Sequence, residues 1–124
     1  MKTWIIIGAI LAGMAVAMGA FGAHGLKSRI SPEDLTIYET AVQYHMIHAI
    51  ALLIIGLMGV YFSQDVISLP ALLIFSGIIL FSGSLYLLVL TDTRWLGAIT
   101  PIGGVAFVAG WGMLAYKLWK YIPK

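Results

Sequence analysis

The sequence predicts an all-α, polytopic membrane protein: a bundle of four transmembrane helices with both termini on the same side. Of 124 residues, 61% are hydrophobic and only 10% charged, against roughly 25% charged in soluble domains. The 7 Lys and Arg and the 5 Asp and Glu fall in clusters that leave four uncharged stretches, 3–23, 40–64, 66–91 and 95–116. Each is long enough to span the hydrocarbon layer, which about 20 helical residues cross. None alternates polar with apolar residues as a barrel strand would, so the backbone must satisfy its hydrogen bonds inside helices. The charged connections are far shorter than the ~50 residues at which domains begin, so residues 1–124 read as one membrane domain.

The first helix is expected over 3–23. It carries small residues at four-residue steps, Ala9, Gly13 and Ala17, then Ala15, Gly19 and Ala23. Such rows let helix backbones approach closely, either within the chain or against another copy. Lys2, an apolar core and "AMGAFGA" also fit a signal peptide. The apolar stretch exceeds the usual core of roughly 7–15 residues, so a retained helix is expected.

The second helix is expected over 32–62. Ser31 suits the N-cap, Pro32 the first turn, and Glu33 and Asp34 the positive end of the helix dipole. Helical as far as Phe62, it would be roughly 45 Å long. A turn around "SQDVISLP" leads to a third helix over 69–90, whose Ser82 and Ser84 would bond back to their own helix or to a neighbour. The fourth helix, over 101–121, starts at Pro101 and ends in Tyr116, Trp119 and Tyr121 among lysines, an interfacial belt. Gly13, Gly19, Gly83 and Gly103 are the expected helix-packing positions.

Four crossings put both termini on one side. Lys2, Lys117, Lys120 and Lys124 lie there, against Lys27, Arg29 and Arg94 opposite, so cytoplasmic termini in a cell membrane are expected. The same alternation gathers His24, Glu39, Tyr44, His48, Ser84, Tyr86 and Thr100 towards one face, a candidate polar mouth and ligand-contact region.

Little in this composition points to catalysis. Zero cysteines exclude thiol chemistry, a net charge of +2 gives no case for nucleic acid, and no Ser-His-Asp order, phosphate-binding loop or zincin motif occurs. His45 and His48 project from neighbouring directions, as metal ligands could, but His24 and Glu39 would have to complete the site through tertiary packing. The plainer expectation is that these side chains sit at headgroup level, bonded to water, lipid phosphate or backbone, with no metal and no cofactor. All five carboxylates map to helix ends or loops, so no proton path through mid-membrane is expected.

"GAFGAHGL" at 19–26, "YETAVQYHMIHAIALL" at 38–53, "FSGSLYLLVLT" at 81–91 and "LGAITPIGG" at 96–104 together resemble the bacterial branch of the domain of unknown function 423 family. These are small four-helix membrane proteins related to a eukaryotic transmembrane family. The resemblance covers essentially the whole chain, implies an inner or plasma membrane location and supplies no catalytic residues. It also implies glutamine in many relatives at the position of His45, against a metal site that requires both His45 and His48.

The expected function is therefore a non-enzymatic membrane protein that binds lipid or a protein partner, with homo-oligomers compatible and the partner unspecified. The alternatives are a small oligomeric transporter or channel component, and a metal- or haem-binding membrane protein.

Overall fold

A computed structural model describes residues 2–124. The described residues form helices and connecting turns, with no strand. Helix α1 covers Lys2–Phe21 and runs on through a wider π-helical turn, Gly22–Leu26. Helix α2 covers Pro32–Met58. Helix α3 runs unbroken from Gln64 to Thr91 and widens to π geometry over Ile78–Gly83. A short 3-10 turn, Arg94–Ala98, leads into helix α4, Thr100–Tyr121. These make four apolar segments of 25 to 28 residues, each long enough to cross a membrane.

Local chemistry sets most of these boundaries. The Ser31 hydroxyl accepts from the Asp34 N–H at 3.1 Å, with Pro32 at the first helical position. This is the N-cap that the sequence predicts. Helix α2 stops at Met58 rather than Phe62, because the Gly59 N–H turns back to the carbonyls of Gly56 and Leu57 and the chain then winds through tight turns. It is about 40 Å long instead of ~45 Å. Helix α3 starts at Gln64 rather than residue 69: Ser63 is extended, Asp65 occupies the first turn, and the helix continues through buried Pro70. The proline removes one backbone bond without ending the helix, which a bilayer protein tolerates when neighbours support the segment.

Helix α1 packs along α2, α4 packs along α3, and α2 and α3 meet in the middle. In the apolar windows of α2 and α3, 44% and 39% of residues are buried, against 22% in α1 and α4, so the latter are the outer helices. The main core joins Leu11, Leu52, Ile55, Ile67, Ile74 and Phe107. A second cluster at the other end centres on Leu26, Tyr38, Leu88 and Val89. Large apolar side chains such as Ile10, Ile54, Leu72 and Val108 cover the outside. Such a surface suits lipid rather than water.

The glycines divide between two environments. A Cβ on Gly8 would lie 2.6 Å from the Leu53 nitrogen, and one on Gly56 2.7 Å from the Ile5 nitrogen, so α1 and α2 meet backbone to backbone at two points. Gly103 likewise lies on the backbone of Leu80 and Phe81, and Gly19 faces Val42. Gly13 faces open space, as do its row partners Ala9 and Ala17, and Gly83 has only the Ile78 carbonyl at 4.0 Å. Four-residue spacing marks two stripes on α1, and the one carrying Ala15 is the stripe turned inward.

Candidate functional site

The polar residues of α2, α3 and α4 do not gather into one mouth. They form separate interhelical pairs, and two of these involve histidines near the middle of α2. His45 is 13 residues from the Pro32 start and 13 from the Met58 end of that helix. It is 3% exposed and His48 is 6% exposed. Headgroup level, expected for both, is therefore replaced by the bundle interior. The difference arises because α2 ends at Met58 rather than Phe62, which puts its histidines near mid-helix and leaves its first turns to take up the interfacial length.

His48 is fixed on every side. The Trp111 indole N–H donates to its Nε2 at 3.0 Å, while its Nδ1 lies 2.7 Å from the Tyr44 carbonyl. Indole nitrogen only donates, so Nε2 must be the acceptor, and Nδ1 carries the proton and donates to the carbonyl. The ring is neutral, and both nitrogens are engaged. Phe107 stacks on it with centroids 3.6 Å apart and planes 16° apart, and Tyr44 lies near-parallel at 6.0 Å. No lone pair is left for a metal or haem unless this arrangement breaks.

His45 differs. Its Nδ1 lies 2.9 Å from the Tyr86 hydroxyl, but its buried Nε2 has no hydrogen-bond partner. Around it, Ser82 donates to the Ala41 carbonyl at 2.7 Å, tying α3 to α2. The Ser84 and Thr100 hydroxyls pair at 2.7 Å, tying α3 to α4. Tyr38, buried on α2, donates to the Met18 carbonyl of α1 at 2.6 Å. Each is an interhelical bond between groups that lipid cannot satisfy.

His24 and Glu39 stay outside this interior. His24 is exposed on the π-helical turn that ends α1. Glu39 is exposed and borders a cavity of about 190 Å³ with Gly19, Gly22 and Tyr38. The glycines do serve close approach here, since a Cβ on Gly22 would lie 2.5 Å from the Tyr38 ring. At the same end Arg94 pairs with Asp34 at 2.7 Å and with Asp92, closing the α3–α4 loop onto the start of α2. Among the described residues, no three His, Asp or Glu side chains converge as metal ligands would.

Two larger cavities lie between helices. One, of about 350 Å³, is bordered by His45, Leu11 of α1 and the π segment of α3. The other, about 770 Å³, lies between Tyr44 and His48 of α2, Phe81 of α3 and Gly104 and Trp111 of α4. Exposed Met14, Ile79 and Leu87 border the first, and exposed Val105 and Val108 the second, so both open sideways towards lipid.

Trp111 and Phe107 are not among the residues expected at the site, and His45 is outside the expected mouth although His48 is in it. A tryptophan inside "AGWGM", remote from the interfacial belt, is the signal that could have found Trp111. Its partner is 63 residues away, so only tertiary packing names it.

A family model described as "Protein of unknown function (DUF423)" matches residues 18–104. A UPF0382 membrane protein of Staphylococcus aureus (strain bovine RF122 / ET3-1) is 54% identical over 121 residues, covering 98% of each chain. UPF0382 membrane protein YwdK of Bacillus subtilis (strain 168) is 47% identical over 123 residues, 98% of this chain and 100% of the relative. A UPF0382 membrane protein of Staphylococcus haemolyticus (strain JCSC1435) is 48% identical over 122 residues, 98% of this chain and 99% of the relative. No solved structure matches.

Proposed function

We propose that this chain, which belongs to the DUF423 family of membrane proteins, is a non-enzymatic lipid-binding protein of the cell membrane, with cytoplasmic termini. One observation carries the reading. Most interior polar side chains are spent on helix-to-helix bonds, while the two interhelical cavities beside His45 and His48 open sideways and are bordered mostly by apolar groups. The Ser82 and Ser84 hydroxyls that border the smaller of these cavities are bonded to Ala41, Phe81 and Thr100 rather than to a histidine. A groove of about 770 Å³ walled by Phe81, Phe107 and Trp111 suits an acyl chain. Lipid is then the immediate partner, with nucleic acid no part of the reading. The outward row Ala9, Gly13 and Ala17 is compatible with contact between copies.

The experiment is native mass spectrometry of protein released from nanodiscs. The wild type is expected to retain acyl lipid, and Ala109→Phe, which fills the α2–α4 groove, to retain less. Equal retention by the two proteins, with the fold of each intact by circular dichroism, would refute this reading. For sidedness, Cys-free protein with a single cysteine at residue 124 should label from the cytoplasmic face, and one at residue 28 from the opposite face.

A further inference from the structure

His45 is the one buried polar side chain among the described residues with a nitrogen left without a partner. Two arrangements of the His45–Tyr86 pair are open. With Nδ1 as donor, the tyrosine O–H and the Nε2 lone pair would both lack partners. With Tyr86 donating to Nδ1, only the Nε2–H lacks an acceptor, and this network leaves fewer groups unsatisfied. The Leu11 backbone is close enough to act on the ring, but it does not meet hydrogen-bond geometry.

His45 borders the cavity of about 350 Å³ between α1, α2 and the π segment of α3, and its Nε2 lies just behind that wall with almost no exposed surface of its own. The size falls at the lower end of small-molecule sites, roughly 300–1,000 Å³. The Ser82 and Ser84 hydroxyls on its wall are already bonded to Ala41, Phe81 and Thr100. No charged side chain lines it. The site therefore sets one unpartnered hydrogen-bond donor just behind the wall of an apolar cleft that opens to lipid, within reach of a ligand once the His45 ring turns. π-Helical turns are common at functional sites, and here the wider turn forms the wall opposite His45.

The geometry points to a binding site for a neutral lipophilic molecule that presents a carbonyl oxygen to His45 Nε2–H. Depth narrows the class. His45 lies about 16 Å along the helix from Asp34, whose partner Arg94 belongs at the interface. The ester carbonyls of a bilayer phospholipid sit at the rim of the hydrocarbon layer, so the acceptor belongs to a molecule dissolved within that layer, such as a ring carbonyl on an alkyl chain. This rests on the lipid-binding reading above and adds the ligand's polar group to it.

The test uses the full chain in phosphatidylcholine nanodiscs, with ¹⁵N-labelled histidine followed by NMR. Two probes are titrated, a decyl-substituted benzoquinone and decylbenzene, which has a similar ring and chain but no oxygen. The quinone should bind at least tenfold more tightly and shift the His45 Nε2–H resonance while leaving His48 in place. His45→Phe should remove that preference. Equal affinity for the two probes overturns the inference while leaving lipid binding standing, and binding of neither removes both. A His45 resonance that in probe-free nanodiscs already shows an Nε2–H bond to the Leu11 carbonyl, or to a phospholipid ester, also overturns it. The comparison of probes on wild-type protein holds even if His45→Phe fails to fold.

Discussion

Replacing Gly8 with alanine puts a methyl group where α1 and α2 touch. Its carbon would lie 2.6 Å from the Leu53 nitrogen and 2.9 Å from the Ala49 carbonyl oxygen. Ordinary contact needs roughly 3.5 Å, and both obstacles are backbone, so α1 must withdraw by about 1 Å. A gap of that size forfeits roughly a quarter to a half of the dispersion energy of each affected atom pair. Overpacking of this kind costs about 1–3 kcal/mol, and the better helix propensity of alanine returns roughly 0.5–1 kcal/mol. The two ranges leave a net loss of about 0–2.5 kcal/mol, centred near 1 kcal/mol. Gly13→Ala, five residues along the same helix, meets nothing within 4 Å and should be neutral or slightly stabilising. Unfolding titrations with sodium dodecyl sulfate in mixed micelles, followed by far-ultraviolet circular dichroism, measure both. Equal destabilisation by the two substitutions would refute the argument, because it would place Gly13 at a contact that the α1–α2 seam does not contain.

Trp111→Phe removes the donor to His48 Nε2 and should lower stability by about 1 kcal/mol in the same titration, in keeping with interhelical hydrogen bonds in membranes. Ser82→Ala breaks the α3–α2 bond to the Ala41 carbonyl and should cost roughly 0.6 kcal/mol, whereas Ser76→Ala, which loses only a bond within its own helix, should cost less. Arg94→Gln should free the α3–α4 loop, giving faster amide exchange at Asp92 and Thr93; added salt should produce the same trend in the wild type, since the Arg94 side chain is 53% exposed.

What could be read from the chain follows the range of the forces involved. The Ser31 cap, Pro32 and the acidic first turn act within four residues, so local spelling announces the start of α2. Four apolar stretches likewise announce four helices, because bilayer thickness fixes their length. Pro70 misleads for the opposite reason: its local meaning is a break, and burial against neighbouring helices overrides it. The choice between the two small-residue stripes of α1 depends on which one meets α2, as Gly19 meets Val42 more than twenty positions away. His45 and His48 share a helix and a residue type, yet one is saturated and the other has a free nitrogen, because Trp111 reaches only the second. Of the seven residues expected to form one polar mouth, His48 lies past the midpoint of α2, while His24 and Glu39 stay exposed. The seven side chains are divided among three helix pairs and an exposed turn, and no spacing in the sequence encodes that division.

The most direct measurement concerns the surroundings of His45. Proton-detected solid-state NMR of the chain in bilayers can compare magnetisation transfer to this imidazole from lipid acyl chains and from water. Transfer from acyl methylenes to His45 and Ile79 is expected, with no exchange peak between water and His45 Nε2–H. A water cross-peak at that nitrogen, with acyl contact confined to the outer faces of α1 and α4, would contradict this.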